Sequence, residues 1–102
     1  MKYINNKLTI DGISLNALVK RYGTPLYCYS HNELRTNIIN FKNNFKGINP
    51  LICFSVKSNS NKRILSEIKK FNIGADVVSK GELVKALKSG IKPSKIVFSG
   101  VG

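Results

Sequence analysis

The chain has 102 residues, of which 17 are Lys or Arg and 5 are Asp or Glu, so its formal net charge is +12. This length allows one domain at most, and the absence of a long apolar run or a signal-peptide pattern predicts a cytoplasmic protein without a membrane partner. The basic residues are spread over predicted helices and loops without a nucleic-acid-binding motif, which argues against nucleic acid as a partner. The two cysteines, Cys28 and Cys53, lack metal-ligand spacing, so we expect two reduced core residues and no metal site.

The first half of the chain predicts short elements separated by turns. A strand over 8–10 precedes the turn pair Asp11-Gly12, and a helix over 14–21 ends before Gly23. A second strand is predicted over 26–29. The spacing of Ser30 and Glu33 is then typical of a capping box at the start of a longer helix. The apolar residues that recur on one face of that helix are Leu34, Ile38, Phe41 and Phe45.

The second half predicts strands that alternate with helices. Strands are expected over 51–56, 73–78 and 95–99, with a helix that begins near residue 60 and another over 80–89. Such alternation is typical of parallel β/α units, so the predicted fold class is α/β. The residues expected to be buried by the two helices are Ile64, Leu65, Ile68 and Phe71 in the first, and Leu83, Val84 and Leu87 in the second.

Three polar residues lie at or near the ends of the predicted strands. Lys57 follows the first strand, Asp76 lies near the end of the second, and Ser99 ends the third. Because the carboxyl ends of parallel strands meet at one edge, we expect these residues to share a rim. A lysine fixed there is a candidate Schiff-base residue, and the alternative is a solvated lysine in a loop. For Asp76 the alternative is an aspartate that caps a helix or forms a turn.

The chain contains, in order, the segments 23–30 (GTPLYCYS), 54–61 (FSVKSNSN), 74–83 (GADVVSKGEL) and 96–102 (IVFSGVG). Together they resemble the pyridoxal-phosphate-dependent decarboxylases that act on basic amino acids. Asp76 lies 19 residues after Lys57, as in that family, and Glu82 lies 25 residues after it. The chain departs from the family pattern at Ser55, where alanine is usual and the added hydroxyl needs a partner. It departs again at Asn72 and Lys80, where glycine is common.

The resemblance implies a partial (β/α)8 barrel of the TIM type with about its first three β/α units. Residues 26–102 would form the N-terminal part of that barrel, and residues 1–25 would pack on a C-terminal β domain that is not present here. A complete barrel needs about 250 residues and eight strands. We therefore expect the N-terminal fragment of a homodimeric enzyme, inactive when isolated.

The resemblance also implies pyridoxal 5'-phosphate as the cofactor. Lys57 would bind it and would later protonate the carbanion, unless another acid does so, and Asp76 would be an active-site acid near both. Glu82 and Asn59 would be cofactor-binding residues. Glu82 also has capping-box spacing from Ser79, and Asn59 is alternatively a cap of the following helix or a residue that orients Lys57. Neither Ser99 nor Gly100 can be given a role from the sequence.

Within the family, the segments around Thr24, Asp76 and Ser99 resemble the branch that converts meso-diaminopimelate to L-lysine and CO2. Two alternatives stay open. One is a related decarboxylase fragment of the ornithine, arginine or carboxynorspermidine type. The other is a small basic β/α binding module without catalysis, in which Lys57 is an ordinary lysine.

Overall fold

The computed structural model describes residues 1–45 and 47–101, and the chain divides into two compact units, Met1–Lys46 and Gly47–Gly102. We call them the N-terminal unit and the C-terminal unit. Every helix among the described residues is too short or too polar to span a lipid bilayer.

The N-terminal unit begins with a three-stranded antiparallel sheet. Its strands are β1 (Lys2–Ile4), β2 (Lys7–Ile10) and β3 (Ile13–Ser14), hydrogen-bonded in that order. Helix α1 (Leu15–Tyr22) follows directly, which confirms the helix predicted over 14–21 to within one residue. The sequence predicted β2 but neither of its partners.

Two tight turns join these strands. Asn5 and Asn6 both have positive φ angles, 47° and 58°, and Asp11 and Gly12 have φ angles of 50° and 81°. A two-residue turn with positive φ at both positions matches the twist of a β-hairpin, and Asn, Asp and Gly adopt it most readily. The Asn5-Asn6 pair was therefore the signal that locates β1.

The strand predicted over 26–29 is wrong, because the structure forms no strand there. Tyr27 is 85% exposed and Tyr29 is 61% exposed. Cys28 between them is also exposed, so the expectation of a core residue is wrong for this cysteine, although it is a free thiol. A strand forms only where another strand supplies hydrogen-bond partners, and none of the described strands pairs with this segment.

Helix α2 (His31–Asn43) begins as predicted, with Ser30 as its N-cap and the Glu33 N–H donating to Ser30 Oγ at 3.0 Å. The predicted apolar face is present but is not buried. Phe41 is 55% exposed and packs edge to face against Phe45, with 5.2 Å between the ring centroids.

Asp11 supports the start of α2 from a distant part of the sequence. Its carboxylate accepts a 2.6 Å hydrogen bond from Ser30 Oγ and a 3.2 Å hydrogen bond from the Asn32 N–H. The Ser30 hydroxyl is the main cause that lowers the pKa of Asp11 below its ordinary value of 3.8, against an opposing contribution from desolvation. The interaction favours the ionised carboxylate.

We expect this carboxylate to stabilise the protein only when it is ionised. Because its folded pKa is lower than its unfolded pKa, the stabilisation is present above the unfolded value and is lost as the pH falls through the folded value. Thermal unfolding midpoints at pH 7 and pH 3 should therefore differ less for Asp11→Asn than for the wild type. Ser30→Ala, which removes the main cause, should change the acid dependence in the same direction. An Asp11→Asn protein with the full acid sensitivity of the wild type would contradict this.

The C-terminal unit contains a parallel sheet whose strands alternate with helices. The order of hydrogen-bonded strands is β4-β5-β6, with Ser55 paired to Asp76 and Asp76 paired to Val97. The predicted α/β class is confirmed for this unit, in which helices connect the strands of a parallel sheet. The elements are β4 (Cys53–Ser55), α3 (Lys62–Lys70), β5 (Gly74–Val77), α4 (Lys80–Lys88) and β6 (Ile96–Phe98), with short 3₁₀ turns at Val56–Ser58 and Pro93–Lys95.

The core of this unit includes residues from the strands and from both helices. Leu65 and Ile68 of α3 are buried as predicted, whereas Val84 and Leu87 of α4 are 37% and 41% exposed, so the prediction that they are buried is wrong. Ala86 is the buried residue of α4. Its small side chain suits a helix that contacts β5 closely. The residues that are at most 1% exposed are Val56, Leu65, Ile68, Ala75, Val77 and Ala86.

Candidate functional site

Lys57 lies in the 3₁₀ turn Val56–Ser58, which directly follows β4. The predicted strand over 51–56 is therefore shorter than expected and stops at Ser55. Val56 is fully buried, the Ser58 hydroxyl donates to the Ser55 carbonyl at 2.7 Å, and the Asn59 N–H donates to the Val56 carbonyl at 3.1 Å. These contacts fix the backbone on both sides of the lysine.

The Lys57 side chain is exposed. In the described part of the chain, no residue provides its Nζ with a hydrogen bond or an ion pair. A primary amine without an ion-pair partner, carried by a fixed turn, is available to bond to a ligand.

Asp76 lies on β5 between the buried residues Ala75 and Val77, so its side chain projects from the opposite face of the strand. Its carboxylate accepts one hydrogen bond from Ser55 of β4 and one from Ser99, the residue that follows β6. Ser55 Oγ donates to Oδ2 at 3.4 Å, and Ser99 Oγ donates to Oδ1. The hydroxyl added at Ser55 thus has its partner. The expectation that Lys57, Asp76 and Ser99 share a rim is confirmed for Asp76 and Ser99, which are hydrogen-bonded, whereas among the described residues no hydrogen bond joins Lys57 to either of them.

Sequence reasoning assigned no role to Ser99 or Gly100, and the structure gives each a position. The Ser99 N–H donates to the Val77 carbonyl at 3.0 Å, which continues the pairing beyond β6. A Cβ atom on Gly100 would lie 2.6 Å from the Val78 carbonyl oxygen, so the chain approaches its neighbour too closely there for any side chain. Both features depend on contacts between strands far apart in the sequence.

Glu82 connects the end of β5 to the start of α4. Its Oε2 accepts from the Val78 N–H at 2.9 Å, while its own N–H donates to Ser79 Oγ at 3.3 Å. The capping alternative for Glu82 is therefore confirmed, with the difference that its carboxylate binds the N–H of the residue before the N-cap. This reciprocal pair fixes the strand-to-helix junction that follows Asp76.

Asn59 shapes the loop after Lys57 but does not cap α3. The N-cap is Asn61, whose Oδ1 accepts from the Arg63 N–H at 2.9 Å. Asn59 Oδ1 accepts from the Asn61 N–H at 3.0 Å. Helix α3 consequently begins two residues later than expected, because two Asn side chains in succession satisfy the backbone N–H groups before it.

The thiol pKa of Cys53 responds to burial and to the negative charge of Asp76. Cys53 lies two residues before Ser55 on β4, and its thiol pKa is raised first by burial and second by the negative charge of Asp76. The thiolate is the reactive form, so both causes slow alkylation.

We expect iodoacetamide at pH 8 to alkylate Cys53 more slowly than the exposed Cys28, which serves as an internal reference. Asp76→Asn removes the second cause and should speed the reaction of Cys53 alone. Mass spectrometry of peptides from timed samples measures both rates. A Cys53 rate that does not respond to Asp76→Asn would show that the carboxylate charge does not reach the thiol.

Comparison with known proteins identifies the family. Residues 31–102 match the model of the pyridoxal-dependent decarboxylases, pyridoxal binding domain. The chain belongs to this family. It is 51% identical over 85 residues to a diaminopimelate decarboxylase of Helicobacter pylori strain J99, covering 83% of this chain and 21% of that protein. A diaminopimelate decarboxylase of Aquifex aeolicus is 40% identical over 102 residues, covering 100% of this chain and 24% of that protein.

Solved structures of the decarboxylase family show the same arrangement of elements. The diaminopimelate decarboxylase of M. jannaschii in co-complex with L-lysine matches with a TM-score of 0.93 at 33% identity, over 99% of this chain and 25% of that one. The H. pylori enzyme complexed with L-lysine matches with a TM-score of 0.80 at 47% identity, over 85% of this chain and 22% of that one. The chain thus spans about a fifth to a quarter of the length of these relatives.

The residues at the rim fit a pyridoxal cofactor. Its aldehyde condenses with a primary amine, and Lys57 offers an exposed one on a fixed turn. The carboxylate of Asp76 lies on the neighbouring strand, where its register partner Ser55 is two residues from Lys57. The primary amine of Lys57 therefore suits the aldehyde of the cofactor.

Proposed function

We propose that this chain provides the cofactor-binding lysine of a decarboxylase that converts meso-diaminopimelate to L-lysine and CO2. One observation carries the proposal: the Lys57 amine is exposed on a fixed turn at the carboxyl edge of a parallel sheet, one strand from the carboxylate of Asp76. The relatives described above carry the diaminopimelate name, which favours this substrate over the ornithine and arginine alternatives.

The cofactor in this proposal is pyridoxal 5'-phosphate. When bound, it supplies an electron sink for the charge that CO2 leaves on the α-carbon of the substrate. Lys57 Nζ would hold it covalently and, as an ammonium group, would carry the proton that the α-carbon takes up. Asp76 would act beside it as a carboxylate held in one orientation.

The remaining predicted contacts belong to the same proposal. Asn59 and Glu82 would lie next to the cofactor while they keep the loop and the helix start in place through their hydrogen bonds within the chain. Residues 26–102 would form the first part of a (β/α)8 barrel, and residues 1–25 would pack on a β domain. We also propose that the enzyme is a cytoplasmic homodimer.

The test is CO2 release by the complete polypeptide that carries this chain, supplied with pyridoxal 5'-phosphate. We expect release from meso-diaminopimelate and little from L-ornithine or L-arginine at equal concentration. Borohydride reduction followed by peptide mapping should identify Lys57 as the modified residue. Release from ornithine or arginine alone would overturn the substrate. A reduced cofactor found on another lysine would overturn the role of Lys57.

A further inference from the structure

We infer that Ser99, assisted by Ser55, is a positioning residue that fixes the orientation of the Asp76 carboxylate at the rim of the site. The inference deepens the proposed function and rests on it for its catalytic consequence. Neither serine is assigned a reacting role. Both act through Asp76.

The sheet register brings the three side chains together. Ser55 of β4 pairs with Asp76 of β5, and Asp76 pairs with Val97 of β6, two residues before Ser99. Because side chains alternate along a strand, Val97 and Ser99 point to the face that carries Asp76. One hydroxyl from β4 and one from the residue that follows β6 therefore lie beside the two carboxylate oxygens.

Two hydrogen-bond donors, one to each carboxylate oxygen, restrict the rotation of the carboxylate more than a single donor does. A carboxylate with one partner can still turn about its Cβ–Cγ bond, since that torsion has a broad energy minimum. Separate donors to Oδ1 and Oδ2, from Ser99 and Ser55, oppose this rotation. The Ser55 contact is long at 3.4 Å and so contributes less than the Ser99 contact.

The backbone that carries the Ser99 side chain is held in place. Its N–H donates to the Val77 carbonyl, and the next residue, Gly100, passes too close to the Val78 carbonyl for a side chain. The Cα of Ser99 therefore has a fixed position, from which its hydroxyl donates to Asp76 Oδ1. If the hydrogen bond between Ser99 and Asp76 only joined β5 to the residue after β6, its loss would not change kcat.

The experiment uses the complete polypeptide and the variants Ser99→Ala, Ser99→Thr and Asp76→Asn. Removal of a hydrogen bond to a charged group should lower kcat for meso-diaminopimelate about tenfold in Ser99→Ala, with KM within about twofold of the wild type. Ser99→Thr keeps the hydroxyl and should restore most of the loss. In an Asp76→Asn background, Ser99→Ala should cause no further loss. Ser55→Ala should lower kcat about twofold.

The matched control is Ser94→Ala, an exposed serine just before the start of β6, which should leave kcat unchanged. A second readout is the crystal structure of the cofactor-free Ser99→Ala protein. There the Asp76 carboxylate should take a new or a second orientation while the β5 backbone stays in place.

The outcomes separate this inference from the proposed function. A Ser99→Ala enzyme with wild-type kcat, or losses that add fully to those of Asp76→Asn, would overturn the positioning role and leave the decarboxylase proposal standing. A wild-type protein inactive on meso-diaminopimelate would overturn the proposed function and, with it, the catalytic consequence of the serines. The crystal structure of the cofactor-free Ser99→Ala protein would then test only whether Ser99 orients the Asp76 carboxylate. A carboxylate in its wild-type orientation there would overturn the positioning role too.

Discussion

Lys57→Ala is expected to lower kcat for the decarboxylation of meso-diaminopimelate by about 1,000-fold or more, because no other group replaces an amine that bonds to the cofactor. The fold should survive the change. Lys57 is exposed, and among residues 1–45 and 47–101 its amine contacts no polar partner, so the free energy of unfolding should change by less than about 0.5 kcal/mol.

The matched control for this variant is Lys62→Ala, which removes an exposed lysine from the first turn of α3. It should keep wild-type kcat and bind the cofactor, as followed by its visible absorbance. Lys57→Ala should lose the covalent attachment, so borohydride treatment should no longer fix the cofactor to the peptide that contains residue 57. Residual activity within tenfold of the wild type would contradict the assigned role.

Gly74→Ala is expected to destabilise the protein by about 3 kcal/mol, a large effect for one methyl group. A Cβ atom at Gly74 would lie 2.2 Å from the Lys95 carbonyl oxygen and 2.9 Å from Cys53 Sγ. The first of these atoms belongs to the backbone just before β6. It cannot move away without disturbing the pairing of β5 with β6, which begins at Ala75 and Ile96.

Gly81→Ala provides the matched control. Its added Cβ atom would meet only Ser79 Oγ, at 3.9 Å, near the start of α4. Alanine favours a helix by about 1 kcal/mol over glycine, so this variant should be as stable as the wild type or more stable. Urea unfolding followed by far-ultraviolet circular dichroism compares the two variants. Equal urea midpoints for the two variants would show that the backbone before β6 moves aside for the methyl group without loss of stability.

The parts of the fold that sequence reasoning predicted correctly depend on nearby residues. Ser30 with Glu33 and Ser79 with Glu82 are three residues apart, and both pairs start helices as their spacing indicates. Asn72, which stands where glycine is common in the family, has a φ angle of 61°, a left-handed conformation that Asn adopts readily. Such features follow from side-chain chemistry within one helical turn.

The parts that sequence reasoning missed depend on partners far along the chain. The 26–29 segment has an apolar pattern suited to a strand, yet pairing decides whether a strand forms. Ser99 was expected at the same rim as Asp76, but the hydrogen bond between them spans 23 residues and follows only from the register of the parallel sheet. The burial of Ala86 in place of Leu87 likewise reflects how closely α4 approaches β5, which helical periodicity does not specify.

The strand order β4-β5-β6 has a consequence for the behaviour of the chain outside a larger protein. Among the described strands, β4 and β6 each pair on one side only, so the other side of each carries backbone N–H and C=O groups without a neighbouring strand. Such margins are templates for pairing between molecules and lead to aggregation. The net charge of +12 opposes that association by mutual repulsion, and added salt screens it. The solubility of the 102-residue chain is therefore expected to fall as the ionic strength rises, even when the fold is unchanged.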